Sequence, residues 1–179
     1  MKRGAKVILA CRDERRATEV ANEFKSEYPK ADVTVRHLDL CDLSSVRSFA
    51  SAILKEETRL DILINNAGIS GDRFKMTADG FEQIYQTNLL GPVLLTDLLL
   101  PLLKTSTPSR VINIGSIAYR LGNVRRSTFA TALRSNYTRD FLRYSDTKLA
   151  LLMCTRAMGE ELKNSGKLIN STSNLLYCL

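Results

Sequence analysis

Three short apolar runs punctuate the chain: AKVILAC at residues 5–11, LDILIN at 60–65 and RVINIG at 110–115. The stretches between them repeat apolar residues at helical spacing. Nearly continuous apolar runs of this length suit strands buried on both faces, and strands alternating with helices of roughly ten or more residues pair in parallel through right-handed crossovers. The pattern predicts an open α/β sheet with helices on both faces. Ala17, Val20, Ala21 and Phe24 trace one face of an amphipathic helix over residues 13–27, which Pro29 helps to end. Residues 32–38, DVTVRHL, read as a further strand. Asp42 stands as N-cap to a helix whose face runs through Leu43, Val46, Phe49, Ala50, Ile53 and Leu54. After LDILIN come Asn-Asn-Ala-Gly at 65–68 and a long helix from about Thr77 to Leu103, with Gly91-Pro92 as a place for a bend. Beyond RVINIG, an arginine-rich segment reads as a solvated loop, and a last helix covers about 140–164.

With 179 residues, 44% of them hydrophobic, the chain suits one compact domain rather than two. No run approaches the roughly 18 consecutive apolar residues of a membrane span, and the first residues lack the apolar stretch and cleavage site of a signal peptide. A cytoplasmic protein is expected. Cys11, Cys41, Cys154 and Cys178 lie far apart with no CxxC pairing, and His37 is the single imidazole, so no metal site is expected. The formal charge is +7, yet the densest basic cluster, Arg120, Arg125, Arg126, Arg134, Arg139 and Arg143, has no interleaved aromatic pattern. That excludes nucleic acid as the expected partner.

Tyr144 and Lys148 stand four apart in YSDTK at the start of the last helix, so their side chains share one face. A fixed ammonium favours the ionised form of a neighbouring phenol, which makes such a pair usable for proton transfer near neutrality. NNAG lies at the carboxyl end of one predicted strand and Ser116 at the end of the next, where open parallel sheets place ligands. In that order, with VILACRD, RLDILINNAGIS, TNLLGPVLLT and YSDTKLA, these marks resemble the short-chain dehydrogenase/reductase family, most of all its retinol dehydrogenase-like members. The resemblance covers residues 1–168, and 169–179 stand apart as a divergent tail.

The resemblance implies a Rossmann-type doubly wound parallel sheet and an NADP-dependent oxidoreductase that interconverts a carbonyl and an alcohol on a lipophilic small molecule, retinoid- or steroid-like. Tyr144 would be the general acid or base, Lys148 would hold the nicotinamide ribose, and Ser116 would orient the reacting oxygen. Asn88, in QTNLLG, would anchor a relay water. On the cofactor side, Arg12 follows the strand VILAC, where a basic residue pairs with the 2′-phosphate of NADP in preference to NAD. Asp39 with Leu40 would contact the adenine, and Asn66, Ala67 and Gly68 the ribose and nicotinamide side. Relatives commonly pair through their long helices, which leaves a homodimer open here.

The family pattern also begins with a strand and a T-G-x-x-x-G-I-G phosphate loop, and neither precedes AKVILAC. That strand would lie between VILAC and LDILIN, so the sheet is expected to lack its central strand, and the later carboxyl-terminal strands as well. Impaired catalysis follows from this. The rival reading is a non-catalytic protein that binds partners through exposed strand edges, or an unstable one.

Overall fold

The computed structural model describes residues 4–71, 73–134, 140–164 and 169–174. The chain opens with strand β1 (Val7–Cys11) and helix α1 (Glu14–Glu27). Asp13 caps α1, its Oδ1 accepting the Arg16 amide at 3.0 Å. Strand β2 (Val33–His37) pairs in parallel with β1, placing Val7 opposite Val33 and Cys11 opposite His37. Helix α2 (Leu43–Glu56) follows, with Asp42 as its cap through the Ser44 amide at 2.8 Å.

Strand β3 (Ile62–Asn65) and strand β4 (Ser109–Ile114) pair in parallel, with Ile62 opposite Arg110 and Asn65 opposite Asn113. The helix expected from Thr77 starts later. Residues 77–80 form a tight turn in which the Gly80 amide donates to the Thr77 carbonyl at 3.1 Å and Gly80 sits at φ +76°. That left-handed geometry suits glycine and stops an α-helix. A short helix α3 (Gln83–Tyr85) then runs into a π-helical turn (Gln86–Leu90) and on into α4 (Gly91–Thr105). Pro92 has no N–H to offer the Asn88 carbonyl, and the Gly91 amide donates to Gln86 O instead, five residues back. The bend expected at Gly91-Pro92 is thus a wide turn centred on Asn88.

The arginine segment is not one long loop. It holds a 3₁₀ turn (Ile117–Leu121) and helix α5 (Arg126–Ala132), before helix α6 (Asp140–Asn164). Nor are its arginines uniformly solvated. Arg134 lies over the Phe81 ring at 5.3 Å, and Arg143 is only 1% exposed, its Nε 3.6 Å from Glu82 Oε1. Arg139 lies outside the described residues. The tail set apart from residue 169 begins as strand β5 (Ile169–Asn174), parallel to β4 with Ser109 opposite Ile169.

The strands form two sheets, β1–β2 and β3–β4–β5, and no described strand lies between β1 and β3. Helices α2, α4 and α6 cover one face with a shared core. Val46, Phe49 and Ile53 of α2 meet Leu95, Leu99 and Leu103 of α4, with Val111 and Leu162 buried among them and Leu63 and Ile8 packed against them. On the opposite face of β3, Ile62 and Ile64 are 51% and 56% exposed, so helical cover is uneven. Residues Gln83–Thr105 are apolar enough by composition to span a membrane, with a mean hydropathy of 1.3, yet 61% of that window is buried as the central helix of this core.

Candidate functional site

The carboxyl ends of β3 and β4 meet the amino-terminal half of α6 and the π-helical turn, and the side chains there are tied together by long-range bonds. Asn88, 1% exposed, accepts the Ile69 amide on Oδ1 at 2.8 Å. Its Nδ2 donates to the Ile69 carbonyl at 2.8 Å and to Thr147 Oγ1 at 3.2 Å. One amide therefore clips the loop after β3 to α6. The π-helical turn, dictated by Pro92, is what presents Asn88 at this junction.

Lys148 is 5% exposed and its Nζ donates to the Ile114 carbonyl at 2.9 Å, which anchors α6 to the end of β4. The ammonium lies 5.6 Å from the centre of the Tyr144 ring, one turn earlier on α6, and Tyr144 is half-buried. Ser116, whose Oγ accepts the Ala118 amide at 3.3 Å, lines a cavity of about 140 Å³ together with Lys148, Asn113, Tyr119, Leu151 and Arg156. Ser116 and Lys148 thus face one space, and Tyr144 flanks the ammonium. A Cβ on Gly68 would touch Asn88 Oδ1 at 3.4 Å and Lys148 Nζ at 3.5 Å, so Gly68 lies directly against the amide and the ammonium.

The other predicted residues are spread more loosely. Arg12 is exposed beyond β1, and Asn66, Ala67 and Gly68 are exposed beyond β3. Asp39 serves the turn before α2: its Oδ1 accepts the Cys41 amide at 2.8 Å, and its own amide donates to Ser45 Oγ at 3.0 Å. Leu40 packs at the π-helical turn, where a Cβ on Gly91 would lie 3.0 Å from both its Cβ and its carbonyl oxygen. At the nicotinamide end the fit to a dinucleotide is good, since a buried cation, a glycine and a hydroxyl converge. At the pyrophosphate end, the amino terminus of α1 is filled by the Asp13 carboxylate, and the glycine turn at 77–80 leads to α3, whose amino terminus is filled by the Glu82 carboxylate.

Sequence reasoning missed a buried polar chain beneath the site. Asn65 Nδ2 donates to Thr96 Oγ1 at 3.0 Å and to Asn113 Oδ1 at 2.8 Å, and Asn113 Nδ2 donates to Thr155 Oγ1 at 2.9 Å. It crosses α4, β3, β4 and α6 in one line. The signal was present in LDILIN and RVINIG, each of which carries one amide in an otherwise apolar strand, since buried polar groups need partners.

Also unforeseen is a set of buried ionisable groups around the start of α6. Burial pushes the Glu82 carboxyl up, against the opposing pull of the Tyr85 amide and Arg143. Burial likewise raises Asp146, offset by the Asn123 amide and the Tyr85 hydroxyl. The Tyr85 phenol is pushed up by burial and by the Asp146 charge.

The short chain dehydrogenase family profile matches residues 1–133. The chain belongs to the short-chain dehydrogenase family. It is similar to retinol dehydrogenase 13 of Homo sapiens, 41% identical over 170 residues that cover 95% of this chain and 51% of the relative. It is also similar to retinol dehydrogenase 12 of Bos taurus, 42% identical with 92% and 51% covered. The chain spans about half the length of these curated relatives. Among solved structures it resembles an uncharacterized protein from Mycobacterium Paratuberculosis, with TM-score 0.80, 38% identity, and 95% and 58% of the two chains covered. It also resembles Pseudomonas aeruginosa RhlG in its active-site complex with NADP, with TM-score 0.71, 30% identity, and 94% and 60% covered. These family members share the Rossmann-type sheet expected from the sequence.

Proposed function

We propose that this chain carries the reaction half of an NADP-dependent oxidoreductase acting on a carbonyl or alcohol of a lipophilic small molecule, retinoid- or steroid-like. The observation that carries this reading is the buried Lys148 ammonium, fixed by the Ile114 carbonyl at 2.9 Å, beside Tyr144 and facing the same cavity as Ser116. During reduction Tyr144 gives its proton to the substrate oxygen, and during oxidation it takes one back. Lys148 offsets the negative charge that Tyr144 then acquires, and the Ser116 hydroxyl donates to the reacting oxygen and fixes its direction. Asn88 holds the loop after β3 against α6 and serves the proton relay. The cofactor, when bound, supplies or accepts the hydride. Lys148, Asn66, Ala67 and Gly68 would hold its ribose and nicotinamide side, Asp39 and Leu40 the adenine, and Arg12 the 2′-phosphate. The lipophilic substrate class is supported by exposed apolar side chains beside Ser116 on the 3₁₀ turn, Ile117 at 49% and Leu121 at 58%, and by the names of the relatives. The proposed partners are small molecules rather than nucleic acid, and the proposed setting is cytoplasmic for the chain as written, with membrane association left to full-length relatives.

The test is a fluorescence titration with NADPH followed by reduction of a retinal-like aldehyde by the chain and by Tyr144→Phe. Saturable binding is expected in both. Turnover should fall about 10²- to 10⁴-fold in the variant, the range for losing a positioned acid. Binding without turnover in the parent chain would favour a second reading, a non-catalytic protein that meets partners through its strand edges. The separation of β1 from β3 and the exposure of Ile62 and Ile64 favour that alternative.

A further inference from the structure

Asp146 lies between Tyr144 and Lys148 on α6, is 5% exposed, and takes no part in the chemistry assigned above. Its two oxygens reach two different elements. Oδ2 accepts the Tyr85 hydroxyl at 3.2 Å, and Oδ1 accepts the Asn123 amide at 2.6 Å. Tyr85, 2% exposed, ends α3 immediately before the π-helical turn that presents Asn88, and its own amide donates to Glu82 Oε2 at 3.0 Å. Asn123 ends the arm that begins at Ser116.

That arm is a succession of local turns. The Ala118 amide donates to Ser116 Oγ at 3.3 Å, the Tyr119 amide to Ser116 O at 3.1 Å and the Gly122 amide to Tyr119 O at 3.0 Å. At its far end the arm lies directly on α6, where a Cβ on Gly122 would sit 2.7 Å from Ser145 O and 2.8 Å from Leu149 Cβ. One end of the arm is fixed by β4, and the Asp146 carboxylate fixes the other.

We propose that Asp146, braced by Tyr85, is a positioning residue: its carboxylate holds the Ser116 arm in register with Tyr144 and Lys148 and couples that arm to the segment carrying Asn88. The proposal rests on the reading of those residues as the reaction centre. A buried carboxylate suits the task because its bonds to N–H and O–H donors are stronger than neutral ones and it is costly to bury unless they are made, so the arrangement is sharply defined. Burial raises the carboxyl's proton affinity, and these two bonds act against that rise.

Amide hydrogen exchange on the chain and on Asp146→Ala, Asp146→Asn and Tyr85→Phe tests the tether. In Asp146→Ala, exchange at residues 118–123 is expected to quicken about tenfold, the scale of losing one buried hydrogen bond, while α2 and the β3–β4 strands keep their protection. Tyr85→Phe should quicken it less. Asp146→Asn should stay near the parent, because its Oδ1 still accepts the Asn123 amide. In the same proteins kcat for aldehyde reduction should fall in step with arm mobility while KM for NADPH holds. Unchanged arm exchange in both Asp146→Ala and Tyr85→Phe overturns the proposal. So does Asn loosening the arm as much as Ala, or a loosened arm with unaltered kcat. Should Asp146→Ala not fold, Tyr85→Phe decides by the same criterion, since it removes a single hydroxyl. A parent chain without NADPH binding or turnover defeats the oxidoreductase reading, and the exchange comparison still decides the tether.

Discussion

Asn65, Asn88, Asn113 and Lys148 are each 8% exposed or less, and each commits polar atoms to a neighbouring element. At the adenosine end of the proposed cofactor site, Arg12 is exposed, and β1, which it follows, lies in a separate sheet from β3. The first region is held by side-chain hydrogen bonds spanning 30 to 60 residues of sequence, such as Asn65 to Thr96 and Asn88 to Thr147. Those bonds do not need a continuous sheet. The second region rests on backbone pairing, which β1 makes with β2 and not with β3. In the proposed dinucleotide site, the reaction end is thus tied together by side chains, while no described strand pairing joins the adenosine end to it.

The comparison breaks first at Asn113. Asn113→Ala removes one buried hydrogen-bond partner from each of Asn65 and Thr155 and opens a cavity, and a loss of about 2–3 kcal/mol in urea unfolding is expected, with m unchanged. A change below about 0.5 kcal/mol would show that the buried chain is not what holds this half.

Arg12 probes the adenosine end. Arg12→Ala should weaken NADPH binding about five- to tenfold and NADH binding hardly at all, because a solvent-exposed charge pair is worth about 1 kcal/mol. Equal losses for the two cofactors would place Arg12 elsewhere.

Asp146 sharpens the contrast through pH. A carboxyl whose proton affinity is raised by folding stabilises the fold most on the acid side, and that contribution is lost as pH rises through the raised value. Asp146→Asn should therefore flatten the decline in urea midpoint as pH rises from about 4, the ordinary carboxylate range, towards neutrality. Glu82, raised by burial as well, keeps part of the slope in the variant. A slope identical to the parent's would mean that Asp146 titrates normally.

The smallest effect belongs to the open face. Ile64, 56% exposed, should tolerate Lys within about 0.5 kcal/mol, and the variant should self-associate less in light scattering at high concentration. Strong destabilisation would show that this face is covered after all.

Much of the fold was legible because its signals are local. Residues 13–27 and 43–56 carry their own caps, Asp13 and Asp42, and their own apolar stripes, so α1 and α2 fall within a residue or two of expectation. Thr77 misled because helical periodicity continued through Asp79-Gly80, and only the left-handed Gly80 ends it. The arginine segment misled because Gly122 and Asn123 looked like loop residues, whereas close packing on α6 requires one and Asp146 the other. The catalytic set was read as four residues, yet Arg143, Glu82, Tyr85 and Asp146 are buried together near the start of α6, and nothing in their spacing announced burial.

The sequence by itself determined the order of β1 to β4 with α1, α2, α4 and α6, the parallel pairing, the YxxxK turn and the place of Ser116 just past a strand end, since periodicity and capping act over a few residues. Only the tertiary structure decided that an acidic residue inside YSDTK faces inwards and that two strand asparagines meet across a register. Those outcomes depend on which distant groups exclude water from one another, and desolvation is a property of the assembled core, not of any stretch of chain.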